Sequence, residues 1–203
     1  MHEGHLTLAR EVRDRFSLDR LIIVPAPHPP HKRQPLAPFA HRAAMLESAL
    51  TTCADCAGIV CSQIEQELPK PSYTIHTVET VMRLCGAQRF YLVIGMDSLA
   101  DLRNWYRCED LLALIDLIVV NREKTAQQDI LTYILNLPVL YQPDPCKTGV
   151  WRNQAGKTLE LLLDFHMPYS STAIRTALSK GEQAAGLPAA VRAYIHKHGL
   201  YSG

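Results

Sequence analysis

Phe90-Tyr91-Leu92-Val93-Ile94-Gly95-Met96-Asp97 is the stretch that decides the fold. Five apolar or aromatic residues run without a polar break and stop at a glycine followed by an acid. A strand apolar on both faces is covered on both faces, which is the habit of a parallel sheet. Leu117-Ile118-Val119-Val120 reads the same way, as does Leu21-Ile22-Ile23-Val24, stopped by Pro25. Gly58-Ile59-Val60-Cys61 is a weaker strand, Leu159 to Leu163 a further one, and Leu137 to Tyr141 reads as an edge strand.

Between these runs the period changes to that of a helix. Leu6, Ala9, Val12 and Phe16 share one face, with Arg10, Arg13 and Asp14 on the other. Ala43, Met45, Leu46 and Leu50 predict a second helix, and Ile75, Val78, Val81 and Met82 a third. Ile130, Ile134 and Leu135 predict another, and the chain ends in helices over Thr172 to Ser179 and Pro188 to His196. Strands alternating with helices predict parallel pairing through crossovers, hence an α/β fold with a doubly wound parallel sheet. The absence of repeats and linkers predicts one domain over residues 1–203, with a helical extension from about Pro168.

Composition narrows the function. The net charge is +1 over 203 residues, so no basic footprint for nucleic acid stands out. No apolar run approaches the roughly 20 residues that cross a bilayer, and no signal-peptide pattern opens the chain. A cytoplasmic location is expected, and with it reduced thiols at Cys53, Cys56, Cys61, Cys85, Cys108 and Cys146. Cys53-Ala54-Asp55-Cys56 with Cys61 has spacing that starts a zinc site, but no fourth ligand is evident and no protein metal site is expected. Phosphate-loop, dinucleotide-fingerprint and nucleophile-elbow motifs are all missing.

Several segments have residue types suited to a nucleotide. His2-Glu3-Gly4-His5 puts two imidazoles and a glycine at the mouth of the first helix, where free N–H groups favour anions. Surface histidines on a frayed end would read the same. Pro168-Tyr169-Ser170-Ser171-Thr172-Ala173-Ile174-Arg175 is a helix-capping run that also presents hydroxyls and a guanidinium fork to a polyphosphate. Asp97, after Gly95 at a strand's carboxyl end, suits ribose hydroxyls or a helix cap. Pro29-Pro30-His31-Lys32 supplies a positive charge in a proline loop. Ser72-Tyr73-Thr74 offers hydroxyls and an aromatic face, and Trp105-Tyr106 a surface for a flat heterocycle or simply core.

Taken in order, these segments, with Arg42, Met45-Leu46 and the terminal Gly199-Leu200-Tyr201, resemble bacterial nicotinate-nucleotide adenylyltransferase. That family belongs to the nucleotidyltransferase superfamily with the H-x-G-H signature, and the resemblance spans nearly the whole chain. It implies transfer of AMP from ATP to nicotinate mononucleotide, giving deamido-NAD and pyrophosphate in NAD biosynthesis, with Mg2+ accompanying ATP. It also implies that His2, His5 and Arg175 act on the transferring phosphate, and that Gly4, Gly95, Asp97, Ser171, Thr172 and Ile174 line the ATP side. His31, Lys32, Ser72, Tyr73, Thr74, Trp105 and Tyr106 would then hold the mononucleotide. Nicotinamide mononucleotide and phosphopantetheine are the alternative acceptors. Oligomeric state is not legible, and a homo-oligomer stays open.

Two departures accompany the resemblance. The family pattern places a strand and a G-G-x-F-D-P segment directly before H-x-G-H, and this sequence begins at Met1-His2 without them. The comparison therefore predicts a missing sheet strand, through either a start upstream of Met1 or an impaired form. A nucleotide-binding protein with little or no turnover is the competing reading. Many relatives also carry an acid shortly after S-Y-T, where this chain has Ile75-His76-Thr77.

Overall fold

A computed structural model describes residues 1–27, 37–86, 89–121, 125–165 and 168–201. The elements run α1 (Glu3–Arg15), β1 (Leu21–Ile23), α2 (Phe39–Thr51), β2 (Ile59–Cys61), α3 (Thr74–Cys85), β3 (Tyr91–Gly95), α4 (Met96–Asp101), α5 (Cys108–Leu114), β4 (Asp116–Val120), α6 (Gln127–Leu135), β5 (Tyr141–Pro143), β6 (Val150–Asn153), β7 (Thr158–Leu162), α7 (Ser171–Ser179) and α8 (Ala189–Lys197). The α/β alternation is as the sequence predicts. No helix among the described residues is long and apolar enough to cross a membrane.

The chain divides into two compact units, Met1–Glu67 with Met167–Gly203, and Leu68–His166. In the first, β1 and β2 pair in parallel, Leu21 opposite Ile59. Its core joins Leu6 and Ala9 of α1, Met45 and Ala49 of α2, Ile174 of α7, and Val191 and Ile195 of α8. The terminal helices, expected as an extension, thus share one apolar core with α1 and α2. Helix α2 packs on both α8 and β2.

In the second unit five strands form one sheet in the order β3-β4-β7-β6-β5. Strands β3, β4 and β7 are parallel, with Gly95 opposite Val120 and Val120 opposite Leu162. Every residue of β4 is buried, which explains its unbroken apolar run. The N-terminal edge of this sheet is pinned by Asp116, which accepts from Arg89 at 3.0 and 3.3 Å and from the Thr158 N–H and hydroxyl at 2.7 Å each. Burial alone would raise the Asp116 carboxyl, but the bonds from Arg89 and Thr158 outweigh it and hold it below the usual carboxylate range. With that edge stapled, the C-terminal edge at Gly95 and Val120 is the one free to carry loops toward a ligand.

Three expectations are corrected. The edge strand lies at Tyr141–Pro143 rather than Leu137 to Tyr141, and β6 (Val150–Asn153) is an additional strand. Strands β5, β6 and β7 form an antiparallel meander rather than parallel crossovers. Their short links permit only hairpins, since a parallel return takes a dozen or more residues. Finally, Cys53 and Cys56 are joined by a disulfide, contrary to the expected reduced thiols. The turn after α2 brings their Cα atoms to 5.4 Å, within bridging range. Cys61, Cys85, Cys108 and Cys146 are free thiols.

Candidate active site

In the first unit two helix N-termini open on one cleft. His2 is the N-cap of α1, in extended backbone, and its side chain is buried. The Glu3 N–H donates to the Gly186 carbonyl at 2.8 Å, and the His5 N–H to the His2 carbonyl at 2.9 Å. This holds the first turn of α1 so that both imidazoles stand together, ring centroids 3.8 Å apart. Gly186 itself has a φ of +78°, and a Cβ there would come within 2.4 Å of the Tyr169 ring. Glycine is therefore required where Tyr169 closes over the loop that anchors α1.

Helix α7 supplies the second N-terminus. Ser170 caps it, accepting from the Ala173 N–H at 3.5 Å, which is the capping role the sequence suggests. The Arg175 guanidinium donates to the Thr172 hydroxyl at 3.3 Å, one turn back. Ser171, Ile174 and Arg175 line the cleft together with His2, His5, Arg42, Met45, Leu46 and Tyr201. Thr172 is exposed and is not among the lining residues; its hydroxyl accepts from Arg175, which is.

The cleft's volume is about 230 Å³. Whole-ligand pockets run to roughly 300–1,000 Å³, so this cavity is sized for part of a nucleotide. Its charge is positive: Arg42 and Arg175 are both at its wall, and two helix N-termini add partial positive charge. No carboxylate among the described residues lines it. The arrangement suits a polyphosphate and supplies hydrogen-bond donors and positive charge.

Arg42 and Tyr201 had no role assigned from sequence. The Arg42 guanidinium donates to the carbonyls of Ala26, Pro27 and Ala37, drawing together the two ends of the proline-rich segment. Burial lowers its pKa, and the nearby Tyr201 opposes that shift. Burial likewise pushes the Tyr201 hydroxyl up, against Arg175 and Arg42. His31 and Lys32, predicted in that segment, lie outside the described residues. A signal for Arg42 was present in principle, as a lone arginine on an otherwise apolar helix face. The placement of Tyr201 depends on the chain's end returning to α2, which no local pattern reveals.

In the second unit the predicted acceptor residues gather at the start of α3. Tyr73 is the N-cap of α3 and its ring stacks on Tyr106, centroids 4.3 Å apart and planes 25° apart. Both rings are exposed, Tyr73 at 37% and Tyr106 at 48%. Trp105 is half-buried and packs on the core around Leu111 and Leu117, so its structural part is the larger. Ser72 precedes the cap, and its buried Oγ makes no hydrogen bond among the described residues. Such an atom costs about 1–3 kcal/mol unless something satisfies it. Gly95 caps α4, and Asp97 lies exposed in that helix's first turn instead of at its cap.

An α/β fold with parallel strands, together with a cationic cleft built from an H-x-G-H turn and a second helix N-terminus, defines a nucleotidyltransferase. Residues 1–177 match the family model described as cytidylyltransferase-like. A probable nicotinate-nucleotide adenylyltransferase of Syntrophotalea carbinolica is 36% identical over 99% of this chain and 92% of its own length. Its counterpart from Desulfotalea psychrophila is 32% identical over 99% of this chain and 94% of its own. Among solved structures, Plasmodium falciparum nicotinic acid mononucleotide adenylyltransferase complexed with NaAD superposes with a TM-score of 0.71. It is 18% identical, over 99% of this chain and 91% of that one, and speaks for the fold. The chain belongs to the cytidylyltransferase-like family and, within it, to the nicotinate-nucleotide adenylyltransferases.

Proposed function

We propose that the chain transfers the adenylyl group of ATP to nicotinate mononucleotide, releasing pyrophosphate and forming deamido-NAD, in the cytoplasm. The single observation that carries this reading is the cationic cleft in which His2, His5, Ser171 and Arg175 converge at two helix N-termini. The family relationship to adenylyltransferases of that name narrows the acceptor.

The mononucleotide phosphate attacks the α-phosphorus of ATP in line, and the bond to the bridging oxygen of pyrophosphate breaks. The chain contributes position and charge. His2 and His5 donate to oxygens around the transferring phosphorus, where negative charge grows in the transition state. Gly4, between them, lets backbone approach the phosphates closely. Ser171 and Arg175 hold the triphosphate, Thr172 contributes by orienting Arg175, and Ile174 packs beneath them. Gly95 and Asp97 take the adenosine ribose. Ser72, Tyr73, Thr74, Trp105 and Tyr106 hold the pyridine end, and His31 and Lys32 the mononucleotide phosphate. Magnesium bound to the ATP substrate would neutralise charge on the leaving pyrophosphate.

Pyrophosphate release tests the proposal, measured with ATP and each acceptor in turn, with and without a chelator. Release should require nicotinate mononucleotide and be lost on chelation. Faster release with nicotinamide mononucleotide or phosphopantetheine would overturn the acceptor assignment. ATP binding by calorimetry without product from any acceptor would leave a nucleotide-binding protein instead.

A further inference from the structure

Helix α8 ends in a turn that brings the last described residue back to the cleft. His198 is its C-cap, and Gly199 follows at a φ of +58°. The Gly199 N–H donates to the His196 carbonyl at 3.3 Å, and the Leu200 N–H to the Ile195 carbonyl at 3.0 Å. These are the two bonds of a Schellman turn, which needs a left-handed residue where the glycine stands. Tyr201 comes next, itself at a φ of +64°. That backbone strains a bulky residue by about 1–3 kcal/mol, and such strain persists only where the surroundings fix it. The fixing contacts are present. The Tyr201 ring packs against the core that holds Ile174, Leu187 and Ile195, and the residue lines the cleft with His2, His5 and Arg175.

The polar tip of Tyr201 can be accounted for group by group. A phenol has one proton to give and lone pairs to receive. The Ala37 backbone N–H donates to the Tyr201 oxygen, and the guanidiniums of Arg42 and Arg175 stand near it. Those neighbours are all donors. Arg42 is itself turned to the carbonyls of Ala26, Pro27 and Ala37. Among the described residues none accepts the Tyr201 proton, and none that lines the cleft is a carboxylate. A half-buried hydroxyl fixed by a donated N–H, near two cations and with its own proton unclaimed, is a donor suited to an anion. We propose that Tyr201 donates a hydrogen bond from its hydroxyl to a phosphate oxygen of the ATP triphosphate, alongside Arg175. The inference deepens the proposed function and rests on it for the identity of the nucleotide.

Calorimetric binding of inorganic tripolyphosphate to the full chain tests it without requiring turnover. Tyr201→Phe keeps the ring in its core and removes only the hydroxyl. Tripolyphosphate affinity should then fall about tenfold or more, the loss expected for one hydrogen bond to a charged group. In steady-state kinetics KM for ATP should rise by a similar factor, with KM for the mononucleotide little changed. Tyr201→Leu, which keeps an apolar side chain without the hydroxyl, should do the same and stands in if the Phe variant does not fold. A hydroxyl that served only to anchor residue 37 would lower the melting temperature and leave tripolyphosphate affinity as it was. That result would overturn the proposal, as would equal rises in the two KM values. Tripolyphosphate binding that depends on Tyr201, in a chain that forms no deamido-NAD, would sink the adenylyl-transfer reading and leave this one standing. A wild-type chain that turns over yet binds no tripolyphosphate would sink this one alone.

Discussion

The His2 and His5 imidazoles lie with their centroids 3.8 Å apart and their planes tilted by 42°, one as the N-cap of α1 and the other in its first turn. The contact is set by backbone: the His5 N–H bonds to the His2 carbonyl, and the Glu3 N–H to Gly186. His5→Ala should lower kcat by about 10²-fold or more, as loss of a transition-state donor does. Steady-state kinetics with ATP affinity measured in parallel would check this, and an unchanged kcat would remove His5 from the chemistry.

Arg175 presents its guanidinium to the cleft while bonded to the Thr172 hydroxyl. Arg175→Lys keeps the charge but loses the planar fork, so KM for ATP should rise about tenfold. Thr172→Val should give a smaller rise, because it only releases the arginine's orientation. Equal effects of the two substitutions would mean that Thr172 contacts the nucleotide itself.

Tyr106 and Trp105 should separate by exposure. Tyr106→Ala removes an exposed ring stacked on Tyr73, and should raise KM for the mononucleotide well above any change for ATP. Trp105→Ala should do the same but also lower the melting temperature, since Trp105 packs on the core of its unit. The full cost of truncating a buried aromatic is about 3–5 kcal/mol, and a half-buried one loses part of that.

Gly186→Ala attacks the anchor of α1 from a distance. The new methyl would meet the Tyr169 ring and adopt a positive φ, at a loss of about 1–3 kcal/mol. Because Gly186 also holds the Glu3 N–H, kcat should fall as well, although no atom of residue 186 is assigned to substrate. Chemical denaturation paired with kinetics would reveal both losses; normal values of both would show that Tyr169 swings aside.

Burial pushes the Cys108 thiol up to about 11 from an ordinary 9.0, helped by Glu109. The folded state therefore holds its proton more tightly than the unfolded chain does. The corresponding stabilisation is fully present below pH 9 and drains away as pH rises toward 11. Cys108→Ala should flatten the fall in melting temperature across that window. Cys108 should also resist alkylation at pH 8, in contrast to exposed Cys85 and Cys146.

Much of the fold was legible in local pattern. The runs over residues 91–94 and 117–120 have no polar break, and in the second every residue is buried, so coverage of the sheet on both faces writes itself into that stretch. Strand β6 was not legible, because Val150-Trp151-Arg152-Asn153 alternates weakly and takes its place only by pairing with β5 and β7. Helix α4 escaped for a related reason: six residues are too few for a period to show.

The candidate site divides along the same line. The sequence by itself determined the residue types, since H-x-G-H and S-S-T-x-I-R can be recognised wherever they stand. It also determined that both begin helices, because capping and glycine placement are local chemistry. Only the tertiary structure decided that residues 2 and 175 share one cleft and that Arg42 and Tyr201 join them. Those facts rest on contacts between residues far apart in the chain. Such contacts are chosen by the packing of whole apolar faces, and a short stretch of sequence carries no record of which distant face it will meet.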